Sequence, residues 1–152
     1  MVETLREDWL TLDNAAKIYP SSHSEKSPAM FRIAITLREP VRYELLARAA
    51  ERMMRRCPYF QVDLRRGIFW YYLQRHGDVP AIRPLTDDPT SPMELHRRGA
   101  HLLNILARGS TVGVDFSHIL TDGHGGMRFV TSLVAEYLRL RGYAIPGHPE
   151  LL

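Results

Sequence analysis

Thr111-Val112-Gly113-Val114-Asp115-Phe116-Ser117-His118-Ile119-Leu120-Thr121-Asp122-Gly123-His124-Gly125-Gly126 decides the reading of this 152-residue chain. Thr111 to Phe116 is β-like, and the stretch from Met127 to Arg141 has the pattern of an amphipathic helix. One imidazole, His118, therefore sits where a strand ends, Asp122 lies four residues on, and Gly123, Gly125 and Gly126 open a helix. Rigid flanking elements hold such a histidine in place, and the glycines let another backbone or a ligand come close. A fold presents a general base in this way.

Working backwards from that stretch, His101 to Ala107 reads as a second strand, joined to the first at Arg108-Gly109-Ser110. Val79 to Pro92 is broken by four prolines and holds at most a short strand around Ile82. Phe60 to Leu64 and Ile68 to Gln74 flank Arg65-Arg66-Gly67, which predicts a hairpin with Gly67 available for a positive φ. In that reading Phe69-Trp70-Tyr71-Tyr72 alternates across a strand and puts aromatics on both faces, one of which needs a cover. Arg42 to Arg56 is a clear helix: Leu45, Leu46, Ala49, Ala50, Met53 and Met54 form its apolar stripe, and Pro58 ends it. Met30 to Leu37 reads as a strand, Ser21 to Pro28 as a loop, and Trp9 to Tyr19 as a short strand with one helical turn. After the last helix Gly142 suits a C-terminal cap. The predicted fold class is α+β, with a mostly antiparallel sheet and helices packed on one face as a second layer.

Composition narrows the function classes. Apolar residues make up 45% of the chain and charged ones 24%, which supports a single folded domain rather than disorder. One cysteine, Cys57, excludes an internal disulfide and a cysteine-based zinc site, and fits a reducing, cytoplasmic setting. The charged N-terminus has no apolar core of a signal peptide, and no run approaches the ~18 apolar residues of a membrane span. The net charge of +3 comes from arginines spread along the chain, not from the contiguous basic stripe of a nucleic-acid reader. They could serve an anionic ligand such as coenzyme A or simply cover a solvated surface. His118, Asp122 and His124 have no second cluster to complete a metal site, so no metal is expected.

The H-x-x-x-D-G of His118 to Gly123 resembles the active-site motif of the chloramphenicol acetyltransferase-like superfamily, which includes alcohol O-acetyltransferases and the condensation domains of peptide synthetases. Trp9 to Pro20 resembles the opening of the bacterial alcohol-acetyltransferase-like branch, and Gly67-Ile68-Phe69-Trp70-Tyr71-Tyr72-Leu73 its mid-domain hairpin. The likeness runs over nearly the whole chain but matches only the N-terminal half of such an enzyme. It implies an N-terminal acyltransferase-like domain over 1–142, with 143–152 as a tail or the start of an interdomain linker. It also implies an acyl-CoA or acyl-carrier thioester as substrate, with no bound cofactor, and an alcohol or amine acceptor. The missing wall would come from a C-terminal half or from a homodimer partner. His118 matches the general base. Asp122 matches an acid that pairs with an arginine and shapes the loop, though orienting His118 or capping the helix are also open to it. Gly123 matches the tight turn, and Ser117, Thr121 and His124 are candidates to line the substrate. Ser117 departs from the family pattern, standing where many relatives carry a first histidine. The competing reading is a non-catalytic domain that binds a protein partner or an acyl ligand.

Overall fold

The computed structural model describes residues 9–12, 29–87, 93 and 97–152. Its strands are β1 (Trp9–Thr11), β2 (Met30–Thr36), β3 (Val62–Arg66), β4 (Tyr71–Arg75), β5 (Ile82–Pro84), β6 (Leu103–Arg108) and β7 (Thr111–Ser117). Among the described residues its helices are α1 (Tyr43–Arg56) and α2 (Gly123–Leu140), with a 3-10 turn at Pro58–Phe60. The expected loop at 21–28 and most of the expected helical turn before Pro20 lie outside the described residues.

β7 organises the larger sheet, whose order is β2-β7-β6-β5. It pairs antiparallel with β2 and β6, so Phe31 faces Phe116, Arg32 faces Asp115 and Leu103 faces Phe116 from the other side. Val112, Val114 and Phe116 alternate onto the helix-covered face and are fully buried. On the reverse face Arg32 grips the buried Asp115 carboxylate through two nitrogens, at 2.5 and 2.9 Å. A two-residue turn joins β6 to β7, and Gly109 supplies its left-handed φ of +57°. The short β5 runs parallel to β6, the one departure from antiparallel pairing among the described strands.

Of the expected α1 stripe, Leu46, Ala49, Ala50, Met53 and Met54 are buried and Leu45 is half-buried against the core. Lacking a side-chain cap, the α1 N-terminus is closed from α2, where the Tyr137 hydroxyl accepts the Arg42 N–H at 3.0 Å. α2 begins four residues before Met127, because Asp122 caps it in spite of the glycines. It ends in a Schellman turn: Gly142 has φ +98°, and the N–H groups of Gly142 and Tyr143 reach the Arg139 and Leu138 carbonyls.

Two expectations are corrected. The strands divide between two sheets, since β1, β4 and β3 form a separate three-stranded one. The hairpin strands also begin two to three residues further on, at Val62–Arg66 and Tyr71–Arg75, so Phe69 and Trp70 belong to the turn. Facing Leu64 with Leu73 buries both, and a one-residue slip would turn them to solvent. Gly67 does not take a positive φ; its N–H closes the turn on the Trp70 carbonyl at 2.7 Å.

The last ten residues are not helical and are strapped along α2. Arg139 donates to the carbonyls of Ile145 and Pro146, Arg128 donates to that of Glu150, and the Leu152 N–H donates to the Ser132 hydroxyl. Among the described residues no helix is long and apolar enough to cross a membrane.

Candidate functional site

His118 is the first residue after β7, held by hydrogen bonds on both sides of its backbone. Its N–H donates to the Ala29 carbonyl at 2.8 Å, just before β2, and the Ser117 N–H donates to the Leu102 carbonyl at 2.9 Å. Ile119 and Leu120 are buried and anchor the turn from below. The half-buried imidazole rests on Phe31, ring centroids 4.6 Å apart and planes tilted by 39°. Phe31 in turn stacks on Phe116 at 5.3 Å, Phe116 meets Phe129 edge-on at 5.8 Å, and Phe129 lies on Phe60 at 4.6 Å. The imidazole thus ends an aromatic ladder running from the 3-10 turn at Phe60 through α2 to the motif.

The other motif residues fall into different roles. The Asp122 carboxylate accepts the Gly125 N–H at 2.8 Å and caps α2, the helix-capping alternative in geometric form. Gly123 has no left-handed φ, and among the described residues a Cβ there would touch nothing within 4 Å. Crowding falls instead on its neighbours. A Cβ on Gly126 would come 2.9 Å from the Phe31 ring and 3.2 Å from Ile33, and one on Gly125 would meet the Thr121 hydroxyl. Gly126 therefore lets the α2 N-terminus lie directly on β2.

Ser117 is fully buried, and its hydroxyl accepts the Ile119 N–H at 3.2 Å, so it shapes the turn from inside. Thr121 is half-buried beside Asp122. His124 is exposed on the first turn of α2, at a cleft of about 490 Å³ lined by Met127, Arg128, Thr131, Pro149 and Glu150. Cys57 ends α1, where burial pushes its thiol pKa up, away from nucleophilic use.

Sequence reading alone missed Phe31 and the Ala29 carbonyl. Both reach the motif through the β2–β7 pairing, a contact between segments far apart in the chain. The apolar alternation of β2 marks Phe31 as inward-facing but does not say which ring it meets. Among the described residues no three of His, Cys, Asp and Glu group as ligands for a metal.

No protein-family model matches this sequence, and no curated protein does. Solved structures do match its fold. Polyketide synthase associated protein 5 from Mycobacterium tuberculosis aligns with TM-score 0.65 at 15% identity, over 91% of this chain and 35% of that one. The X-domain of teicoplanin biosynthesis, solved in complex with OxyB, aligns with TM-score 0.68 at 16% identity, over 97% and 36% of the two chains. A doubly substituted starter condensation domain of rhizomide synthetase, in complex with C8-CoA and Leu-SNAC, gives TM-score 0.71 at 10% identity, over 95% and 39%. The fold is therefore condensation-domain-like, and the chain spans between a third and two fifths of the length of these proteins.

Proposed function

We propose that this chain is the N-terminal half of an acyl-transferring enzyme in which His118 is the general base. One observation carries the reading: an imidazole pinned at the end of the central strand, backed by Phe31 and followed at once by a capped helix. The likeness to a condensation domain solved with C8-CoA and Leu-SNAC supports a thioester donor. The neutral imidazole removes the proton from an acceptor hydroxyl or amine as that atom attacks the thioester carbonyl. The tetrahedral adduct then collapses, the carbon–sulfur bond breaks, and the imidazolium returns the proton to the departing thiolate. Such base assistance is worth roughly 10²–10⁴ in rate. No enzyme-bound acyl group is needed, and the hydroxyl next to the base, on Ser117, is buried and already used in the turn. Asp122 keeps its role as the helix cap and takes no part in the proton transfer.

The second reading is a non-catalytic half that binds a protein partner, and the X-domain solved with OxyB favours it. Coenzyme A release from C8-CoA with amine and alcohol acceptors separates the two, measured with a C-terminal half-domain supplied. Turnover that falls about 10²-fold or more in His118→Ala, with the melting temperature retained, supports the base. Turnover that survives the substitution removes it, and no turnover with any donor leaves the binding reading.

A further inference from the structure

The β3–β4 hairpin ends in three consecutive large apolar side chains open to solvent: Ile68 is 88% exposed, Phe69 85% and Trp70 63%. They sit on a closed turn, with the Phe69 and Trp70 ring centroids 6.5 Å apart. The first rung below the turn pairs Arg66 with Tyr71 and the second pairs Arg65 with Tyr72. Arg65 is paired with the buried Asp63 carboxylate, while Arg66 is exposed. A notch of about 400 Å³ lined by Leu64, Arg65, Arg66 and Tyr71 lies just under the tip. From Leu64 to Gly77 the sequence carries three arginines and no aspartate or glutamate.

We propose that this hairpin is a peripheral membrane anchor. Ile68, Phe69 and Trp70 enter the headgroup–acyl boundary of an anionic phospholipid bilayer, and Arg66 meets the lipid phosphates. Below the apolar tip the first rung sets a phenol, Tyr71, beside a guanidinium, Arg66, as an interfacial aromatic and a headgroup-contacting cation sit at such a surface. The charge is complementary, since a juxtamembrane basic residue gains energy only where the leaflet is anionic. A second copy of the chain fits worse. Three side chains on a convex tip cover far less than the roughly 800 Å² per partner of a stable dimer. A two-fold axis at the tip would also bring each Arg66 towards its symmetry mate. A bilayer needs no complementary pocket, so a protruding knob suits it. The proposal does not depend on the role of His118.

Flotation of the chain with vesicles tests it, comparing pure phosphatidylcholine with vesicles containing a quarter phosphatidylglycerol. A Trp9→Phe background leaves Trp70 as the only indole. The expected result is co-flotation with the anionic vesicles, a blue shift of Trp70 emission on binding, and loss of binding in high salt. Ile68→Ser with Phe69→Ser should weaken partitioning at least about tenfold, and Arg66→Glu about fivefold, with melting temperatures unchanged because these side chains are exposed. Equal binding to both vesicle types overturns the anionic surface. Absence of vesicle binding overturns the anchor. So does a concentration-dependent dimer that the double serine variant abolishes, which would assign the tip to a protein interface.

Discussion

Gly126 sets how closely the motif helix approaches its strand, and the ring it crowds is the one that carries His118. Phe31 lies between the imidazole and Phe116 and has little room to retreat, so Gly126→Ala overpacks the site. Overpacking of this kind typically costs about 1–3 kcal/mol. The expected outcome is a lower urea midpoint together with a displaced His118 ring signal by NMR. A rise in stability from the better helix former would mean that Phe31 yields freely. Asp122 makes a separate prediction. As a cap, Asp122→Ala should cost about 1 kcal/mol while Asp122→Asn stays near wild type, since both Asp and Asn cap well. Acyl transfer lost in Asp122→Asn at unchanged stability would make the carboxylate part of the chemistry.

Glu136 ties the two helices together. It is buried on α2 and receives Arg52 at 2.8 Å and Arg56 at 3.5 Å from α1, with Arg139 at 3.5 Å from its own helix. The Arg52 hydrogen bond, foremost among these contacts, holds its carboxyl below the usual range against the opposing effect of burial. The native state therefore binds this proton less readily than the unfolded chain. The stability it gives is present above the unfolded pKa of about 4.3 and is lost as pH falls through the lower native value. Glu136→Gln should flatten the acid arm of the stability curve, and Glu136→Ala should cost about 1–3 kcal/mol, because the freed arginines are partly exposed and can hydrate. Urea unfolding across pH 3–6 reads both, and an unchanged acid arm in the glutamine variant would deny the linkage. Both helices were legible in the sequence because their apolar residues recur at helical spacing. The α2 start was legible only through the glycines and the capping reading of Asp122, since four glycine-rich residues depress propensity and the amphipathic pattern itself begins at Met127. The β6–β7 hairpin was legible from Gly109. The β3–β4 turn was misplaced because Ile68, Phe69 and Trp70 have strand propensity, whereas the register is decided by burying Leu64 against Leu73. His118 was legible as a strand-end residue, but its platform was not, because strand pairing across distant segments leaves no local signal.

The two sheets meet through a pair of imidazoles. His76 follows β4 of the small sheet, and His101 precedes β6 of the large one; their rings lie 4.7 Å apart at 61°. His76 is fixed by its N–H on the Gln61 carbonyl at 3.0 Å and by its Nδ1, which accepts the Asp78 N–H at 3.3 Å. Burial, and after it the facing His76, push the His101 pKa down; Arg83 and Arg97 act the same way and Asp78 opposes them. Folding therefore disfavours the proton on His101. The stability that unprotonated His101 supports is complete above the unfolded imidazole pKa of about 6.5 and drains away as pH falls below it. Protonation would place a cation on His101, which burial, Arg83 and Arg97 oppose, at the seam that joins the hairpin-bearing sheet to the rest of the molecule. The urea midpoint should hold from pH 8 to 7 and then fall towards pH 5. His101→Phe keeps a ring in the seam without the charge and should lose most of that slope. Amide exchange should locate the effect, with β4 opening at pH 5 before β7, which is buried on both faces. An equal slope in the phenylalanine variant, or β7 opening first, would place the acid sensitivity elsewhere and leave the seam a passive contact.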